Sequence, residues 1–210
     1  MNKLIAFGSS PIMKDTAYPS RIAQQLNVEY VCRAKPTNSN HKIARMILSY
    51  EDYQPNDFVL TEWTSGIRNE FRTEQGWMGT SMATYKKGTG SFEEHYYQQG
   101  PGQWEYTGVY QTLKEIVLAQ TFLKANNIEY LFTFYPDEIL KSNLYRKPDE
   151  YIGPLLKLID WSRFLHFDNH GFLAWCRENN YEFESDGSHP AESAHQLGAD
   201  YVLKNFKILG

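Results

Sequence analysis

The first 63 residues alternate between two kinds of pattern, and that alternation limits the fold more than anything else in the chain. Lys3 to Phe7 is short, apolar and stopped by Gly8, the pattern of a buried strand. Arg21 to Leu26 reads as a helix, introduced by Tyr18-Pro19-Ser20 with Ser20 as the expected N-cap. Val28 to Cys32, rich in β-branched and aromatic residues, reads as a second strand. A polar turn over Ala34 to Asn40 leads into a helix with Ile43, Ala44, Ile47 and Leu48 on one face. Asp57 to Glu62 then gives a third strand centred on Phe58-Val59-Leu60. Strands and helices taking turns over short links imply a parallel sheet, because parallel neighbours need crossovers that pack on the faces. The expected fold is a three-layer α/β/α sandwich with a mostly parallel central sheet. Ligands gather at the carboxyl ends of such strands. Gly8-Ser9-Ser10, Thr37 to Asn40 and Trp63-Thr64-Ser65 each lie just past a strand, so they are expected on one edge.

The pattern is lost from about 66 to 108, where Gly, Gln and Thr mix irregularly with Trp77, Tyr85, Tyr96, Tyr97 and Trp104. A structureless link of this length suggests a lid or binding loop. Regularity returns with an amphipathic helix at Val109 to Ala125 and a fourth strand at Ile128 to Tyr135. A second insertion, about 136–170, is expected as helical pieces broken at Pro136, Pro148 and Pro154. Helices at Gly171 to Glu178 and Ala191 to Asn205 complete the chain, which reads as a single domain over 1–210.

A net charge of −4 offers no basic field for nucleic acid. No stretch approaches a membrane span, and the apolar run at the N-terminus is too short for a signal-peptide core. The expected location is cytoplasmic. Cys32 and Cys176 are too few for a disulfide framework. No cofactor or metal is expected. His166-Phe167-Asp168-Asn169-His170 lacks a supporting third cluster and reads better as a helix cap at Asp168 or Asn169. Lys86-Lys87-Gly88-Thr89-Gly90 lacks the residue order of a phosphate loop.

The chemistry-bearing stretch is Asp186-Gly187-Ser188-His189-Pro190. An Asp three residues before a His can accept the imidazole Nδ1–H, fix the tautomer and leave Nε2 free to take a proton. Ser10, at the mouth of the first strand, is the hydroxyl such a base would activate. Donors for an oxyanion would come from the backbone of Ser10 and from the polar loops holding Thr37, Asn38, Asn40, Thr64 and Ser65. Together they describe acyl transfer through an acyl-serine.

These residues resemble the SGNH, or GDSL, hydrolases. Gly8-Ser9-Ser10 is similar to that family's first block, Gly-Asp-Ser, and Asp186 to Pro190 matches its last block. Asn38 to Arg45 resembles the second block and the helix it opens, and His195, Gly198 and Ala199 the closing helix. The resemblance implies a flavodoxin-like fold, esterase activity without a cofactor, Ser10 as nucleophile, and Asp186 and His189 as its partners. Three positions depart from the pattern. Thr37 stands where the family's second-block glycine is expected, Ser9 replaces the Asp of the first block, and Trp63-Thr64-Ser65-Gly66, with Arg68 beyond, replaces Gly-x-Asn-Asp. Loss of one oxyanion donor costs on the order of 10²–10³ in rate. The Trp-Thr-Ser variant also resembles versions of the family associated with bacteriophage genomes.

The expected substrate is a small or carbohydrate ester, an O-acetyl group on a sugar among them, with Trp63, Arg68, Trp77 and Trp104 as binding residues. Two further expectations stand beside it, the first from the altered blocks and the second because one acyl-serine can serve water or another hydroxyl. One is a catalytically retired binding or virion-structural module, forming a homo-oligomer or virion assembly through the aromatic insertion. The other is an acyltransferase using the same triad.

Overall fold

The computed structural model describes residues 1–73, 76–80 and 101–208, the side chains of 69, 71–73, 76–80 and 101–104 excepted. Four strands, β1 (Lys3–Phe7), β2 (Glu29–Cys32), β3 (Phe58–Trp63) and β6 (Glu129–Phe134), form one sheet in the order β2-β1-β3-β6. All three pairings are parallel, with Leu4 level with both Tyr30 and Phe58, and Phe58 level with Glu129. The period of two along each strand divides the core. Ile5, Phe7, Val59 and Trp63 face one helical layer, and Leu4, Ala6, Phe58 and Leu60 the other. The first layer holds α2 (Asn40–Leu48) and α3 (Pro101–Ala125); the second holds α1 (Tyr18–Leu26), α7 (Phe172–Glu178) and α8 (Glu192–Asn205). This is the three-layer sandwich expected from the alternation. The chain leaves β1 toward β2 and then crosses to β3 on the other side, so the switch point lies at the carboxyl ends of β1 and β3.

Several expectations are corrected. Ser20 lies buried inside α1; Ala17 takes the N-cap position and Pro19 sits in the first turn, where its missing N–H costs nothing. The region of lost pattern contains an antiparallel pair, β4 (Asn69–Thr73) and β5 (Gly76–Thr80), whose sequences show too few apolar residues to reveal it. Helix α3 begins at Pro101, eight residues earlier than expected at Val109. Gly108 lies inside this helix in close contact with the loop past β3. A Cβ on it would lie 2.7 Å from the Gly66 carbonyl oxygen. Tyr85, Tyr96 and Tyr97 lie outside the described residues.

The stretch 136–170 holds the short helices α4 (Glu138–Lys141), α5 (Asn143–Arg146) and α6 (Ile152–Leu158). Its end belongs to the sheet edge. Phe164 bridges in parallel to Phe132, and the Leu165 N–H donates to the Phe132 carbonyl at 2.9 Å. Neither Asp168 nor Asn169 caps α7, whose N-cap is Gly171. Both have positive φ, 50° and 69°, in a tight turn, and Asp168 instead accepts from the Trp175 indole and the Tyr201 hydroxyl.

Candidate active site

Ser10 opens a 3₁₀ turn (Ser10–Ile12) immediately past β1. Gly8 leaves room for Ile12 to pack against that turn, since a Cβ there would lie 2.5 Å from Ile12 Cδ1 and 3.2 Å from the Glu62 carbonyl oxygen. The Ser10 hydroxyl lies 3.0 Å from His189 Nε2, across 179 residues of sequence. On the other side of the ring, Nδ1 lies 2.5 Å from Asp186 Oδ2. The second carboxylate oxygen, Oδ1, accepts the backbone N–H groups of Ser188 (2.9 Å) and His189 (3.0 Å). These bonds hold the Asp186 carboxyl well below the usual carboxylate range, the His189 bond contributing most and the Ser188 and His189 amides next. Gly187, at φ 65°, supplies the left-handed residue the turn requires. Ser188 Oγ lies 3.1 Å from His189 Nδ1 as well.

The loop is tied down by residues that no motif revealed. The Tyr135 hydroxyl, just past β6, donates to the Ser188 carbonyl. The Glu184 N–H donates to the His189 carbonyl, and Lys14, just past the Ser10 turn, pairs with the Glu184 carboxylate. His195 is buried beneath, where burial holds its imidazole down at about 4 and Nδ1 accepts the Tyr18 N–H.

The polar loops past β2 and β3 are joined to each other. Asn40 Nδ2 donates to the Thr64 carbonyl and to Thr112 on α3, both at 2.9 Å, while its Oδ1 accepts the Thr64 N–H at 2.8 Å. Asn38 Nδ2 donates to the Gly8 carbonyl at 2.8 Å. The Ser65 hydroxyl donates to Glu138. Asn38, Asn40 and Ser65 thus spend their side chains on scaffolding, and Thr64 its N–H. Among the expected oxyanion donors left outside these bonds are the N–H groups of Ser10 and Thr37 and the hydroxyl hydrogen of Thr64. Thr64 Oγ1 keeps contact with the nucleophile turn, 3.5 Å from Ser9 Oγ.

Thr37 carries φ 59°, a left-handed conformation that costs a β-branched residue dearly. It follows Pro36, and the Asn38 N–H donates to the Lys35 carbonyl at 3.4 Å, as in a turn whose third position favours glycine. The backbone shape appropriate to glycine is therefore kept although the side chain is threonine.

Trp63 does not face the site. It is fully buried on the α2/α3 side, edge-on to Phe132 with centroids 5.4 Å apart, as the alternation along β3 dictates. Arg68 is partly buried near Glu138, with Nη1 lacking a hydrogen-bond partner among the described residues; burial lowers its pKa and Glu138 opposes this. The side chains of Trp77 in β5 and Trp104 in α3 lie outside the described residues. Glu184, Asp186 and His189 are close enough together to hold a metal ion, but Lys14 and Ser10 already occupy two of them.

No family model and no curated protein matches this chain. Solved structures do match along nearly its whole length. It is similar to a catalytic mutant of Axe2, an acetylxylan esterase from Geobacillus stearothermophilus (TM-score 0.57, 10% identity, 100% of this chain and 96% of the other covered). A psychrotrophic esterase EstA from Pseudoalteromonas sp. gives TM-score 0.56 at 11% identity, covering 97% of this chain and 96% of its own. A member of the lipolytic protein G-D-S-L family from Veillonella parvula gives 0.53 at 15% identity, with 98% of each covered. Order of strands, parallel register and these likenesses agree: the chain has the fold of the SGNH, or GDSL, hydrolases.

Proposed function

We propose that this protein is a serine esterase that cleaves a small acyl ester, an O-acetyl group on a carbohydrate being the favoured substrate. The observation that carries the reading is the line Ser10 Oγ, His189 Nε2, His189 Nδ1, Asp186 Oδ2, at 3.0 and 2.5 Å across its two hydrogen bonds. Ser10 Oγ attacks the ester carbonyl carbon as its proton passes to His189 Nε2. Asp186, held ionised by its own hydrogen bonds, stabilises the imidazolium. The oxyanion accepts from the N–H groups of Ser10 and Thr37. Collapse breaks the bond to the alcohol oxygen, which takes the proton back from Nε2, leaving an acyl-serine. Water, deprotonated by the same nitrogen, then releases the acid and restores Ser10.

The names of two fold relatives, an esterase and an acetylxylan esterase, support the choice of a short acyl group on a sugar. The test is covalent labelling by a fluorophosphonate probe together with turnover of p-nitrophenyl acetate. Both are expected in wild type and absent in a folded Ser10→Ala variant. A wild-type protein that neither labels nor turns over would point to the retired binding module instead. Faster acetyl transfer to an added sugar than to water would point to the acyltransferase.

A further inference from the structure

Past the carboxyl ends of β3 and β6 lies a cavity of about 400 Å³, bounded by Gly66, Ile67, Val109, Glu105, Glu138 and Ser142 among others. Its walls start at strand ends that are tied to the triad loops. Gly66 is two residues past Thr64, whose hydroxyl reaches Ser9; Glu138 is three past Tyr135, whose hydroxyl holds Ser188. Two residues span at most about 7 Å, and with the Thr64–Ser9 contact and the two side chains added, Gly66 lies within about 15 Å of the nucleophile turn, the reach of a short oligosaccharide. The contact between Gly66 and Gly108 draws α3 against the loop past β3, and this close approach sets Val109 opposite Ile67.

The lining decides what fits. Ile67, Val109 and Ile139 give apolar walls. Glu105 accepts from the Ser142 hydroxyl at 2.8 Å through one oxygen, and Glu138 from Ser65 through one oxygen, so each carboxylate keeps acceptor capacity to spare. An aliphatic acyl chain would strip water from both carboxylates and return no hydrogen bond. A sugar ring donates hydroxyls to them and lays its C–H face on the aliphatic walls. Lys141 is taken by Asp137 at 2.7 Å and only Arg68 lies near Glu138, so the lining keeps an excess of negative charge, which turns away an anionic ligand but not a neutral sugar. We propose that this cavity is the subsite for the alcohol half of the ester, a neutral sugar held by Glu105 and Glu138. The inference rests on the esterase reading for its catalytic meaning.

Two measurements keep the two readings apart. In Glu105→Gln/Glu138→Gln protein, the ratio of kcat/KM for acetylated xylobiose to that for p-nitrophenyl acetate is expected to fall about tenfold or more; an unchanged ratio would overturn the proposal. Independently of turnover, Ser10→Ala protein titrated with unacetylated xylobiose is expected to shift amide resonances of Ile67, Val109 and Ile139, and to lose that response when Glu138→Gln is added. Xylobiose shifts elsewhere, or none, would place the sugar outside this cavity even if the esterase reading stands. Binding here without any esterase activity would sink that reading and keep the sugar site.

Discussion

The phenol of Tyr135 donates a 2.8 Å hydrogen bond to the carbonyl of Ser188, midway along the loop that carries Asp186 and His189. Tyr135 itself is fixed, because its N–H donates to the Trp63 carbonyl at 2.8 Å and its ring is buried in the layer of α1, α7 and α8. The end of the sheet thus sets the height of a surface turn. Tyr135→Phe keeps the ring and removes only this bond. The expected result is a kcat lowered about tenfold with KM little changed, since small displacements of a base are costly in rate. Stability is expected to fall by no more than about 1 kcal/mol, because the freed carbonyl can turn to water. Steady-state kinetics and a urea melt check both; an unaltered kcat would mean the loop holds its height without this bond.

Thr37 pays for its left-handed backbone at the position where the resemblance calls for glycine. Relief of that strain is worth about 1–2 kcal/mol, partly offset by the greater freedom of glycine in the unfolded chain. Thr37→Gly is therefore expected to raise stability by about 1 kcal/mol while retaining esterase activity, because the donor proposed at this position is the backbone N–H. Thermal unfolding and p-nitrophenyl acetate turnover read the two effects. A folded variant with activity lost would assign the hydroxyl, and not the amide, to the site.

What the sequence made legible follows from period and position. Buried parallel strands announce themselves as short apolar runs, and Gly8-Ser9-Ser10 and Asp186 to His189 are local motifs, so the parallel sheet and the approach of Ser10 to His189 both follow from short stretches. Trp63 lies in the core and not at the site, because standing at a strand end says nothing of which way a side chain points; counting by twos from Val59 puts it inward. The Asn40 clamp onto Thr64 and Thr112, the Tyr135 bond and the Lys14–Glu184 pair join residues from different elements, each of ordinary type, and leave no local pattern. The start of α3 was hidden because a glycine kept for close approach looks like a glycine that ends a helix.

Gly108 gives that last point a sign. In an exposed helix interior, Gly→Ala stabilises by about 1 kcal/mol. Here the added methyl would meet the Gly66 backbone at 2.7 Å, and backbone cannot swing aside as a side-chain tip can. Gly108→Ala is expected to destabilise by about 1–3 kcal/mol. It should also widen the cavity between Ile67 and Val109 by pushing α3 outward. Chemical denaturation decides the sign, and a stabilised variant would show that the helix can move away freely.

Glu62 offers the clearest dependence on pH. It is fully buried at the end of β3, and neither carboxylate oxygen has a hydrogen-bond partner among the described residues; the Tyr18 hydroxyl, near enough to pull the pKa down in part, has its 2.9 Å contact with Thr133 instead. Burial outweighs that pull and pushes the carboxyl up to about 8. An unfolded Glu titrates near about 4.3. Between those values the native protein holds one proton more than the unfolded chain, so stability declines as pH rises, by up to about 1.4 kcal/mol per unit. The contribution is complete below the unfolded value and gone once pH passes the folded one. Glu62→Gln removes the ionisation and keeps the shape. Relative to wild type, the variant is expected to gain stability steadily from pH 5 to 8 and to differ least near pH 4. Urea melts at pH 4, 6 and 8 test this, and parallel curves for the two proteins would mean that Glu62 reaches water or a counter-charge when it ionises.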